Sequence, residues 1–193
     1  MLATTPTTVL EAVNLMLSTI GEAPVNTVEN NGVIDAVTAR QHLSTINREV
    51  QTRSWHWNRE ENVTITPSHP EGFIILPSNT LRVDTSGPSA GIDVVQRGNR
   101  LYDRIRHTYQ FERPITVDLT VLLPFEELPE AARHYITIRA ARKFQESVLG
   151  SGEMSQFTLR DEIMAKVTLE DAEADTADYN IFDNAWVQEV LRR

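Results

Sequence analysis

Along this chain the spacing of apolar residues changes twice, and that pair of changes restricts the fold more than any other feature. Up to residue 50 apolar positions recur every three or four residues. From Trp55 to Leu123 they favour every second residue, and after Pro129 the wider spacing returns. The first spacing gathers side chains on one face of a helix, the second on one face of a strand. Thr8 with Glu11 forms a capping box. Leu10, Val13, Met16 or Leu17, and Ile20 then share a face, with Gly21 as the C′ residue and Pro24 preventing continuation. A second helix carries Ala36, Ala39, Leu43, Ile46 and Val50, a stripe suited to close packing.

Trp55 and Trp57 alternate with His56 and Asn58, and Val63–Thr66, Phe73–Leu76, Leu81–Val83, Ile92–Val95 and Ile115–Leu123 read as strands. Gly98-Asn99 is a hairpin turn between strands ending near Gln96 and starting near Arg100. Pro129 suits a first helical turn. Ile138, Ala141, Phe144 and Val148 supply the next stripe, ending at Gly150. Phe157, Ile163 or Met164, and Val167 supply the last. The expectation is an α+β fold: an antiparallel helical bundle made of 1–54 and 125–178, an inserted β-rich module at 55–124, and a C-terminal docking arm at 179–193. The stretch QTRSWHWNREE lies where the chain leaves the bundle, so Trp55 and Trp57 are read as a structural seam.

With 193 residues the chain can bury a core without disulfides, and it has no cysteine. That excludes thiolate catalysis, thiolate zinc sites and iron–sulfur clusters, and fits assembly in a reducing cytoplasm. The first residues carry no secretory-signal pattern, and no apolar run nears the roughly 20 residues that cross a bilayer, so no membrane insertion is expected. Neither phosphate-binding glycine motif occurs, and the five histidines lack metal-ligand spacing, so no cofactor or metal is expected. The net charge of −9 argues against a general nucleic-acid binder. Between Glu153 and Asp178 eight acids face Arg160 and Lys166, a net of −6. Sixteen of the 18 basic residues are arginine, whose planar fork suits carboxylates at interfaces.

Two segments stand out as interface candidates. The run RGNRLYDRIRHTYQFER, with Arg97, Arg100, Arg104 and Arg106 among aromatics, reads as a solvated or subunit-facing hairpin; taken alone it also suits single-stranded nucleic acid. The acidic run Glu170, Asp171, Glu173 and Asp175 reads as a helix face that meets those arginines on a neighbouring copy, or that DNA passes without sticking. Ile181, Phe182 and Trp186 give the C-terminal arm an apolar side for docking. Glu60-Glu61 and Glu126-Glu127 are the carboxylates from which a glycan hydrolase would have to be built, but adjacent strand residues point to opposite faces.

The chain resembles the tail tubular protein A (head-to-tail adaptor) family of podovirus-type bacteriophages. The resemblance rests on EAVNLMLSTIGEAPVNTVE at 11–29 and ARQHLSTINREVQTRSWHWNREENVTITP at 39–67. LYDR, ITV, LPEAARHYITIRAARKFQ and the final ADYNIFD support it. It implies a structural virion protein of the tail, not an enzyme: twelve copies in a ring joining the portal to the tail nozzle. The genome would leave through that ring without sequence-specific binding. The alternative is a tail-associated cell-wall hydrolase acting on glycan or peptidoglycan, and the arginine-rich run keeps a nucleic-acid-binding module in view.

Overall fold

The computed structural model describes residues 4–29, 32–150 and 152–176. In chain order the elements are α1 (Val9–Ser18), α2 (Ile34–Gln51), β1 (Arg59–Ile65), β2 (Thr80–Thr85), β3 (Val94–Arg97), β4 (Arg100–Asp103), β5 (Ile115–Val121), α3 (Glu130–Leu149) and α4 (Gly152–Thr176). Helices and antiparallel strands occupy separate stretches of chain, the α+β arrangement that the two changes of period predict. Contacts divide the chain into two compact units, Met1–Ile46 with Leu128–Arg193, and Asn47–Glu127.

In the first unit, the Thr8 hydroxyl accepts from the Glu11 N–H, and the Glu11 carboxylate accepts from the Thr8 N–H at 2.8 Å, so two otherwise orphaned donors are satisfied. At the other end Gly21 takes φ +82°, and the N–H groups of Gly21 and Glu22 return to the carbonyls of Ser18 and Leu17. Ala12, Val13, Met16 and Leu17 are buried. Ala36, Ala39, Leu43 and Ile46 are buried along α2, as their spacing predicts. The start of α3 is gripped by the N-terminal segment. Thr7 donates its N–H and hydroxyl to Glu130, while buried Arg133 donates to the carbonyls of Leu128 and Thr7.

Two of the expected stripes are corrected. Among the described side chains of α3 the buried apolar residues are Ala132, Tyr135, Ile136, Ala140, Ala141 and Phe144; Ile138 is half-buried and Val148 exposed. This helix packs against both α1 and α4, and His42 of α2 meets Phe144 edge-on, so burial wraps around it and no single stripe describes it. Among the described side chains of α4, Ala165 and Leu169 are buried, whereas Ile163, Met164 and Val167 are 53%, 60% and 45% exposed; the Phe157 side chain lies outside those described. An ion-pair group ties α4 to α3: Glu162 accepts from Arg142, with Arg139 at 3.8 Å, and Arg142 also reaches Glu146. Burial disfavours the Arg142 charge, but the two carboxylates more than offset that and raise its pKa.

In the second unit β5 is the centre of an antiparallel sheet in the order β1-β5-β2, and β3 pairs with β4 as a hairpin. Ile115, Val117, Leu119 and Val121 alternate inward from β5 and meet Ile74, Leu76, Leu101 and Phe111. The Gly98-Asn99 turn forms as predicted, with Gly98 at φ +63° between the paired Arg97 and Arg100. Phe73–Leu76 is not a strand. It makes isolated bridges to Gln110 and Arg100, because Pro70 and Pro77 leave it too short for a ladder. The segment after Trp55 is likewise not extended: His56–Asn58 is a 3₁₀ turn.

Candidate functional site

That 3₁₀ turn is held by one amide. Buried Asn58 accepts the Trp55 N–H at 2.8 Å and donates to the carbonyls of Gln51 at 2.9 Å and Val121 at 3.0 Å. Beside it, the Gln51 side chain accepts the Leu123 N–H at 2.8 Å and donates to the Leu123 carbonyl at 2.9 Å, standing in for a strand partner just beyond β5. Trp55 is buried, donates its indole N–H to the Val50 carbonyl at 2.8 Å and stacks on Trp57, their rings 6.4 Å apart and nearly parallel. The Trp57 N–H is enclosed and has no acceptor among the described residues. Residue periodicity missed Gln51 and Asn58, since amides carry no hydropathy signal.

The hairpin arginines differ sharply in what they do. The Arg97 guanidinium lies 3.6 Å from the centre of the Tyr102 ring, and that of Arg100 lies 4.7 Å from the centre of Phe73. Arg104 pairs with Asp93 at 3.3 Å. The guanidinium of Arg106 has no partner among the described residues, and the same holds for Arg113. Between Arg104 and Arg106, Ile105 is 66% exposed. Its loop is fixed from below, because buried Asp103 accepts the N–H groups of Ile105 and Arg106 through Oδ1 at 2.9 and 2.8 Å. The Asp103 and Thr108 backbones close the loop. Beside it lies a cleft of about 390 Å³, lined by Ile92, Ile105, Phe111 and Ile115 with Arg106 and Arg113.

The acidic residues divide in the same way. Glu170 pairs with Lys166 at 3.1 Å, and Glu173 is half-buried. Asp171 and Asp175 are exposed. They continue a ridge at four-residue spacing, Leu159, Ile163, Val167, Asp171, Asp175, that winds around α4 by about 40° per step, with all five side chains exposed. Ile181, Phe182 and Trp186, with the rest of the expected arm, lie outside the described residues. The carboxylate doublets are also exposed, Glu60-Glu61 on β1 and Glu126-Glu127 on a 3₁₀ turn. Neither doublet lines the cleft. Among the described residues no three histidine, aspartate or glutamate side chains gather as a metal site, and no helix is long and apolar enough to cross a membrane.

The family model for tail tubular proteins matches residues 10–179, and the chain belongs to that family, whose members are components of the bacteriophage virion tail. It is 32% identical over 127 residues to tail tubular protein A of Klebsiella phage KP34. That match covers 66% of this chain and 66% of the relative, just under two thirds of its length.

Proposed function

We propose that this chain is a head-to-tail adaptor: copies close into a ring of twelve between the portal and the tail nozzle and form part of the channel through which DNA leaves. The observation that carries this reading is the pair of unlike, uncommitted surfaces described above. A closed ring needs heterologous contacts, so every subunit must present two different complementary patches. The arginine-edged loop of the hairpin and the exposed row of α4 are such a pair. An acidic chain also suits a lumen, because negative walls repel phosphates where basic ones would hold them.

In this reading 1–54 and 125–178 act as the bundle, 55–124 as the carried module with Trp55 and Trp57 at its seam, and 179–193 as the arm that docks on the portal. The test is the assembled mass of the protein, alone and mixed with the cognate portal protein. A ring of subunits in either setting is expected, and a chain that stays monomeric in both overturns the proposal. Deleting 179–193 should weaken portal binding and leave the melting temperature unchanged; undiminished binding would remove the arm's role.

A further inference from the structure

We infer that the subunit contact is centred on apolar packing: the exposed row of α4 from one copy lies in the Ile105 cleft of the next, and its acidic end meets Arg106 and Arg113. This rests on the ring reading and gives that contact its residues.

Part of the cleft's lining is apolar, formed by Ile92, Ile105, Phe111 and Ile115. Phe111 and Ile115 are 7% and 1% exposed, and Ile92 packs on the same cluster. At about 390 Å³ it has room for one or two aliphatic side chains. Ile105 forms one wall, and the Asp103 carboxylate below it is already taken up by two backbone N–H groups. The loop therefore loses little freedom on binding. Arg106 and Arg113 line the same cleft, as does Glu112.

The row on α4 has the matching order. Leu159, Ile163 and Val167 come first and are 44%, 53% and 45% exposed, a continuous apolar strip about 12 Å long at 1.5 Å per residue. Asp171 and Asp175 follow on the same ridge, turned by about 40° and 80° from Val167. A helix seated by Ile163 and Val167 thus carries its two carboxylates onward toward the guanidinium groups, the usual layout of a helix in a groove with charges fixing its register. The occupant is a second copy of this chain, because both halves are exposed in one subunit and complementary in polarity and order. Arg97, Arg100 and Arg104 are engaged by Tyr102, Phe73 and Asp93 and contribute little to the contact.

The absence of cysteine permits a direct test. Ile105→Cys and Ile163→Cys are prepared as separate proteins, mixed under assembling conditions, with portal if portal is required, and treated with a short bismaleimide. The mixture should give about tenfold more covalent dimer than either protein alone, as proximity in the complex raises the effective concentration of the thiols. Independently, Ile105→Glu and Ile163→Glu should each abolish the ring, yet together form a dimer that grows no further, since each retains one intact face. Both positions are exposed, so melting temperatures should be unchanged. A wild-type chain that forms its ring while the mixed Ile105→Cys and Ile163→Cys proteins give no 105–163 cross-link overturns this inference and leaves the ring reading standing. Protection of Ile163→Cys in the monomer that disappears on deleting 179–193 would give the row to the chain's own arm and also overturn it. A wild-type chain that never assembles overturns both.

Discussion

Trp55 and Trp57 stack on each other, yet their indole N–H groups have opposite fates, and substitution should separate them. Trp55→Phe removes a buried hydrogen bond to Val50 and leaves a void, a loss of about 2–3 kcal/mol. Trp57→Phe removes a donor with no acceptor among the described residues, so stability should change by less than about 1 kcal/mol. Urea unfolding of both variants decides it; equal losses would mean that packing alone sets both contributions. Asn58→Ala strands three buried backbone groups at once and should cost about 2–4 kcal/mol by the same measurement. Legibility at this scale followed chemistry. Thr8 and Glu11 could be read from sequence because a capping box is local, with both partners three residues apart. Asn58 could not, since its partners Gln51 and Val121 are joined only by the fold.

Among the elements, β5 was legible because a central strand packed on one face writes its alternation into the sequence, as Ile115, Val117, Leu119 and Val121 do. The alternation of Trp55 and Trp57 was misleading, since a tight turn held by an amide also brings those two rings together. For α4 the apolar stripe was visible but assigned inward. Among its described side chains Ala165 and Leu169 are buried, and Ile163, Met164 and Val167 lie outside. The candidate arginines and acids were visible as charge runs, but which were already paired depended on side-chain geometry. Outward-facing Asp118 on β5 yields a pH prediction. Its carboxyl pKa is lowered, chiefly by the Asn62 N–H at 2.9 Å, against an opposing desolvation effect and with help from Ser86 and Arg59. A depressed pKa contributes stability above the unfolded value near 3.9 and loses it as pH falls through the folded one. Wild type should therefore exceed Asp118→Asn by about 1 kcal/mol at pH 7. The gap should close below about pH 4; a gap constant with pH would refute the assignment. Glu162→Gln acts on a different element. It leaves Arg139 and Arg142 poorly compensated between α3 and α4 and should lower stability by about 1–3 kcal/mol.

For the whole molecule, the question is whether a chain with five arginines between 97 and 113 holds nucleic acid or lets it pass. Gripping a single strand requires open aromatic faces for stacking as well as cations along a groove. Here the Tyr102 face is covered by Arg97, its ring is met edge-on by Tyr109 at 4.8 Å, and Phe111 is buried in the core. Three of the five arginines are engaged by neighbours in their own unit, and the chain as a whole carries a net charge of −9. Long-range repulsion should therefore dominate at low ionic strength, where a Debye length of about 30 Å at 0.01 M lets the entire charge act. The protein should not retain a single-stranded or duplex oligonucleotide at micromolar concentration, even at about 50 mM salt. Converting both Arg106 and Arg113 to Ala should leave that result unchanged while weakening self-assembly. The opposite outcome is equally plain: a micromolar affinity that falls linearly with the logarithm of salt and disappears in the double variant would make the hairpin a nucleic-acid grip. A subunit with such a grip would hold nucleic acid in place, and the proposed passive passage of DNA through a ring would be overturned.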